Sequence, residues 1–232
     1  MARRVIRSLR VGRAGVRMLR PRPMKIYNSF GPNPRALRMF LLEKGVEIPT
    51  QDVDLLGMEN RRPPYTDRNP GGQIPSLEME NGRVIGETVA IFEYLEEKHP
   101  VPPLVGSTPE ERAETRCWQR RVELRITEHV YNGFRFSEGI ELFRPRLRVL
   151  PEAADGLKAT ARDNLVWLDG LLEGKTWIAG ERFTIADIIL YCALDFGRGV
   201  GQSRVERWQI SFTFQASQAA QAQSAHLRIG VG

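Results

Sequence analysis

The sequence predicts two unlike halves, a small mixed α/β sheet followed by an all-helical region. Three observations carry this. Up to Pro100, strand-like and helix-like runs follow one another as β-α-β, an irregular stretch, then β-β-α. Residues 100–107 contain Pro100, Pro102 and Pro103 and read as a linker. Beyond them the periodic runs are helical, and two of them open on capping-box patterns. With 232 residues and 41% hydrophobic content, the chain can bury a real core in each half.

In the first half, residues 25–28 (Lys-Ile-Tyr-Asn) form a buried strand, with Tyr27 as core. After a loop at Ser29-Phe30-Gly31-Pro32, Asn33 is expected as N-cap, with Pro34 at the first helical position. Leu37, Phe40 and Leu41 recur at helical spacing, and Gly45 after Lys44 stops the helix. Residues 51–55 give a second strand, so strand–helix–strand implies a parallel pair with a right-handed crossover. Residues 57–68, with Pro63-Pro64, read as irregular or a broken helix. Residues 76–79 and 83–85 flank Asn81-Gly82 as a hairpin. A helix with Ile91, Phe92 and Leu95 on its inner face then runs to His99-Pro100.

The chemistry gathers at Asn69-Pro70-Gly71-Gly72-Gln73-Ile74-Pro75-Ser76. A proline at 75 drives Ile74 out of the helical region into extended backbone. The peptide group of Ile74 then faces outward and can pair with an extended, peptide-like ligand; a cis bond at Pro75 would sharpen the turn. Glu87-Thr88 opens the next helix, so a hydroxyl and free amides stand where a carboxylate is favoured. A pairing edge beside an anion site describes a pocket for a small, charged, extended peptide.

In the second half, Thr108-Pro109-Glu110-Glu111 is a capping box, and Trp118, Val122, Ile126 and His129 mark a helix running to about Tyr131 or Gly133. A basic connection at 144–151 leads to a helix over 152–172 with Leu157, Ala161, Leu165, Leu168 and Leu172 on its stripe. Thr184-Ile185-Ala186-Asp187 is a second box. Cys117 and Cys192 read as buried small hydrophobes, and with three scattered histidines they offer no metal-ligand spacing, so no metal is expected. No apolar run approaches the roughly 18 residues of a membrane span. A reducing, cytoplasmic setting fits best.

Charge is unevenly spread. Residues 1–23 hold eight arginines and no acid, whereas the remainder carries a net −2, which argues against a nucleic-acid partner for the globular part. The basic segment reads as dispensable, an upstream start or an organelle-targeting leader. After about Ser203 the chain turns strand-like at 209–214 and Gln/Ala/Ser-biased at 215–225, an atypical tail. The expected division is 1–23, 24–100, 101–107, 108–202 and 203–232.

The order Asn69-Pro70 to Gln73-Ile74-Pro75, then Glu87-Thr88-Val89-Ala90-Ile91, then Trp177 to Asp187 (Trp-Ile-Ala-Gly-Glu-Arg-Phe-Thr-Ile-Ala-Asp) resembles the soluble, bacterial-type glutathione S-transferase family over residues 24–202. The resemblance implies a thioredoxin-like domain followed by an all-α domain, assembled as a homodimer. It implies glutathione as co-substrate, a small electrophile as second substrate, and detoxification chemistry by conjugation, peroxide reduction or reductive cleavage. Pro75 corresponds to the family's cis-proline and Ile74 to the residue whose backbone pairs with the cysteinyl unit. Glu87 and Thr88 correspond to the pair that holds the γ-glutamyl end, and Gln73 lines the same groove. Arg62 corresponds to the basic position at the glycyl carboxylate. Thr184 and Asp187 resemble a structural N-capping pair. For the contact that favours thiolate over thiol, Ser29 is the assignment and Asn33, as an amide donor, the rival. Trp118, Phe134 and Phe136 are weighed as an electrophile pocket but read as core, and Arg121, Arg125 and Arg135 as a solvated face. The competing function is a non-catalytic dimerisation or interaction module.

Overall fold

The computed structural model describes residues 22–199. Its sheet comprises β1 (Lys25–Asn28), β2 (Thr50–Asp52), β3 (Ser76–Glu78) and β4 (Val84–Ile85), in the spatial order β2-β1-β3-β4. β1 and β2 are parallel, with Ile26 opposite Thr50, and α1 (Pro32–Lys44) makes the crossover between them. β3 runs antiparallel to β1 and to β4, which completes the expected hairpin. The irregular stretch holds a 3₁₀ turn (Glu59–Arg61) and a single-turn α2 (Tyr65–Arg68). α3 (Thr88–Lys98) packs on α1, where the Phe40 and Phe92 rings stack with centroids 4.5 Å apart. Such a pair adds about 1 kcal/mol beyond its buried area.

The helical half begins with α4 (Pro109–Val122), a π turn (Glu123–Thr127) and α5 (Glu128–Arg135), end to end. α6 (Ile140–Phe143), α7 (Ala154–Leu172) and α8 (Ile185–Gly199) follow. The architecture is a thioredoxin-like sheet half followed by an all-helical half. Thr108 Oγ1 accepts the Glu111 N–H at 3.2 Å, and Glu111 reaches back to the Ser107 N–H at 2.7 Å. At α8, the fully buried Asp187 accepts from Thr184 N (2.7 Å), Thr184 Oγ1 (2.9 Å) and Ile178 N (2.9 Å). Burial still pushes its carboxyl up to about 6.

A buried ion pair between α1 and α3, inside the sheet half, anchors the connection to the helical half. Lys44 Nζ meets the Glu96 carboxylate, both side chains being 1% exposed. Lys44 also donates to the carbonyls of His99 (2.9 Å) and Pro102, while Glu96 accepts from Leu104 N (3.3 Å) and Val105 N (2.9 Å). The Leu104 carbonyl in turn accepts the Ile185 N–H at 3.0 Å. The 100–107 connection is therefore pinned from both sides, by Lys44 and Glu96 of the sheet half and by the first residue of α8.

Four local expectations need correction. Asn33 is not an N-cap: α1 starts a residue earlier at Pro32, with Gly31 at φ 113° as cap, so Asn33 lies inside the first turn. The buried stripe Trp118, Val122, Ile126 continues at Val130 rather than His129. The π turn inserts one residue and rotates everything after it. Cys117 is exposed, and only Cys192 is the buried small hydrophobe expected of both. The second strand is also shorter than 51–55, ending at Asp52. Residues 1–21 of the 1–23 leader and the whole 203–232 tail lie outside the described residues. Among the described residues, no helix is long and apolar enough to cross a membrane.

Candidate functional site

The stretch before β3 is held by buried polar side chains. Tyr65 Oη donates to the Gln73 carbonyl (2.7 Å) and meets Ser76 Oγ (2.9 Å), while Asn69 Nδ2 donates to the same carbonyl at 2.8 Å. Asn60 Nδ2 donates to Gly72 O at 2.7 Å. Gly72 has φ +59°, and a Cβ there would stand 2.7 Å from the Asn60 carbonyl, so only glycine fits. The Ile74–Pro75 bond is cis. Ladder pairing of β3 with β1 begins at Ser76, which leaves the Ile74 peptide outside the sheet.

Glu87 caps α3 with φ 62° and ψ 113°, a conformation that a non-glycine residue holds at a cost of about 1–3 kcal/mol. No side chain caps the helix mouth, and Thr88 is its first residue. Strain of this kind persists where the surroundings impose it, and here it sits at the edge of a cavity.

Two cavities meet at Asn33 and Tyr131, which line both. The first, of about 370 Å³, is a polar recess whose walls include Glu87, Thr88, Gln119, Glu123, Thr127 and Glu128. The second, of about 280 Å³, is bounded by Gln73, Ile74, Asn60 and Arg61 on the sheet side. Phe134, Arg135, Phe143, Arg146 and Phe196 close it from the helical side. Burial, reinforced by the like-charged Glu128, holds the Glu123 carboxyl above the usual carboxylate range, although Arg120 pairs with it at 3.0 Å. Burial pushes the Tyr131 phenol far up, so it keeps its proton and serves as a wall and donor, not a base.

The structure brings five of the eight sequence-derived residues to these cavities. Asn33, Gln73 and Ile74 line the aromatic one, and Asn33, Glu87 and Thr88 the polar one. Pro75 stands behind Ile74 and sets its geometry. Ser29 lines neither; its hydroxyl donates to Val53 O at 2.9 Å, tying the end of β1 to the chain after β2. Arg62 is exposed and donates to the Gly57 carbonyl, whereas Arg61 lines the aromatic cavity. The recess residues Gln119 and Glu123 went unsuspected. A signal existed in Gln119, Glu123 and Thr127, spaced by four, but a polar helix face ordinarily means solvent. Phe134 and Arg135 lie in the site rather than in plain core and solvated surface.

Chemically, the recess presents carboxylates suited to an ammonium group, beside a helix mouth and hydroxyl suited to a carboxylate. Residues 30–98 match the description "Glutathione S-transferase, N-terminal domain", and 145–208 match "Glutathione S-transferase, C-terminal domain". The chain belongs to the glutathione S-transferase family. It is 36% identical over 181 residues to the maleylacetoacetate isomerase of Pseudomonas aeruginosa, covering 75% of this chain and 83% of that one. It is 34% identical over 164 residues to the FtsZ-localized protein A of Caulobacter vibrioides, covering 67% and 68%. Among solved structures, a glutathione S-transferase domain-containing protein of Marinobacter aquaeolei superposes with a TM-score of 0.75 at 30% identity, covering 82% and 94%. Family members thus include one named for an isomerase and one named for localisation, so family membership alone does not name a reaction.

Proposed function

We propose that this glutathione S-transferase family member is an enzyme that binds glutathione as thiolate and directs it at an electrophile. The observation that carries the reading is the position of Asn33. It stands in the first turn of α1, at the junction of the polar recess and the aromatic cavity. A glutathione with its γ-glutamyl end in the recess and its cysteinyl unit paired to the Ile74 backbone would bring sulfur to that junction.

Each part of the tripeptide finds a chemical complement. Glu87 and Glu123 face the ammonium, and the Thr88 hydroxyl with the α3 amides takes the γ-glutamyl carboxylate. Arg61, in place of Arg62, takes the glycyl carboxylate: it lines the Gln73–Ile74 cavity, and its buried Nε–H has no partner. The buried Asn60 Oδ1 beside it is also unpartnered and would accept a peptide N–H. The Asn33 amide, aided by the N-terminal field of α1, donates to sulfur and favours thiolate over a thiol of pKa about 8.5. Ser29, whose proton is directed at Val53 O, acts one step back by shaping the loop.

The thiolate then attacks the electrophile in the aromatic cavity; conjugation, peroxide reduction and reductive cleavage all begin this way. The reading extends to a homodimer in a reducing cytoplasm, in keeping with an unpaired buried Cys192. Retention on immobilised glutathione, with an ultraviolet thiolate band that titrates below the free thiol, is the expected result. A non-catalytic interaction module is the second reading, favoured by the 34% identity to FtsZ-localized protein A. A stable dimer that neither binds glutathione nor shows a thiolate band would select that module over the enzyme.

A further inference from the structure

The aromatic cavity has a charge that glutathione does not account for. Arg61, Arg135 and Arg146 line it together, and no Asp or Glu does. Among the described residues, none of the three forms an ion pair with a carboxylate. Their existing partners are neutral: Gly71 O for Arg61, Asn132 Oδ1 for Arg135 and Leu55 O for Arg146. The Nε–H groups of Arg61 and Arg146 are buried without acceptors among the described residues. Burial lowers the guanidinium pKa of both Arg135 and Arg146, and the charge of Arg61 adds to this, opposed at Arg135 by Glu128 of the neighbouring recess and by Tyr131.

Ring geometry places two of them at one end of the cavity. The Arg135 guanidinium lies 5.6 Å from the Phe143 centroid and 5.9 Å from that of Tyr131, and the Arg146 guanidinium 5.8 Å from Phe143. Phe134 and Phe196 meet edge to face at 5.0 Å and complete an aromatic wall. Flat cations against ring faces are held in place before any ligand arrives. In this cavity a glutathione thiolate brings two negative charges, the glycyl carboxylate and the sulfur, against three guanidiniums. The surplus is positive, and Arg135 and Arg146 supply it from the helical side.

We infer that the second substrate is an aromatic electrophile bearing a carboxylate, and that Arg135 and Arg146 read that charge. The inference rests on the transferase reading above, with Arg61 reserved for glutathione. In a representative turnover, the thiolate sulfur attacks the ring carbon that bears chloride. The C–S bond forms, the C–Cl bond breaks, and chloride leaves with the electron pair; the thiol proton has already gone to solvent, and no oxidant or reductant is needed.

The test sets a chloro-dinitrobenzoate against its methyl ester, with glutathione and the full chain. After subtraction of the uncatalysed rates, kcat/KM for the acid should exceed that for the ester by about tenfold, the scale of one hydrogen-bonded charge. Arg135→Gln and Arg146→Gln should each collapse that ratio toward one, and Arg135→Lys should retain most of it. Because Arg146 also ties down the Leu55 carbonyl, Arg135→Gln is the cleaner variant. No preference for the acid overturns the inference while leaving the transferase intact. An unchanged ratio with a raised KM for glutathione also overturns it, by assigning these arginines to the glycyl carboxylate. If neither compound reacts and glutathione is not retained, the transferase reading fails separately. Equilibrium dialysis of a naphthoate against the matching naphthamide then decides the pocket. Acid-selective binding lost in Arg135→Gln upholds the pocket's selectivity, and equal binding rejects it.

Discussion

The polar recess and the aromatic cavity share Asn33 and Tyr131 yet carry opposite charge. The recess has three carboxylates, Glu87, Glu123 and Glu128, against the single Arg120. The cavity has three arginines and no carboxylate. A zwitterionic peptide spanning both would thereby be oriented, ammonium into the recess and negative groups into the cavity, before any shape is considered. Construction differs too. The recess is framed by a helix mouth and the rod from α4 to α5, whereas the cavity is assembled from loops and short turns on both halves of the chain. Its existence depends on how the halves are docked.

That dependence gives the largest expected effect. Glu96→Ala leaves Lys44 buried without its counter-charge and frees the 100–107 connection. A loss of about 3–5 kcal/mol is expected, lowering Tm by on the order of 10 °C in thermal melts. Glutathione retention should then fail in step with unfolding. A Tm within a degree or two of the parent would show that the docking is held by the direct α1–α8 contact, with its Arg35–Asp195 pair, and not by the connection.

At the junction, Asn33→Ala should reduce turnover at neutral pH by roughly 10- to 100-fold, the worth of a hydrogen bond to a charged group. The sign follows from removing a donor to the anion. The bound thiol's pKa rises, the thiolate fraction at neutral pH falls, and the defect shrinks as alkaline pH forms thiolate unaided. Ser29→Ala should leave the pH–rate profile in place and show only a small stability loss. The reverse pattern in pH–rate measurements would return the sulfur contact to Ser29.

Within the recess, Thr88→Ala removes ground-state binding. The KM for glutathione should rise about fivefold, for roughly 1 kcal/mol, with kcat little altered. Steady-state kinetics showing a fall in kcat at constant KM would mean the recess reaches the reacting sulfur.

The smallest effect concerns pH. Burial raises the Glu123 pKa, so its charge is lost as pH falls through a point above the ordinary glutamate value. Glutathione binding should weaken on that acid limb. Glu123→Gln should weaken binding by about twofold to fivefold at neutral pH, the range for a partly exposed pair, and flatten the limb. Calorimetric titrations with the same acid limb in parent and variant would remove Glu123 from the ammonium site.

Residue chemistry acting over a few neighbours was readable without coordinates. Pro75 dictates an extended Ile74, Thr88 opens a helix, and Asp187 closes a capping box, because each signal spans at most four residues of chain. The parallel β1–β2 pair and the β3–β4 hairpin followed for the same reason, whereas the antiparallel β1–β3 pairing that joins them into one sheet carried no local signal. What packing decided were offsets of a single residue. Pro32 began α1 early and moved Asn33 from cap to cavity wall. The turn at Glu59–Arg61 faced Arg61 inward and left Arg62 outside. The π turn rotated α5 relative to α4, so that Val130 rather than His129 continues the buried stripe. Periodicity assigns a face only while the period is constant, and an inserted residue or a short turn changes it by about 100°. The Lys44–Glu96 pair joins residues 52 apart and offered no local pattern at all. The same holds for the arginine cluster, whose members stand at 61, 135 and 146 and become one charged wall only when the two halves close on each other.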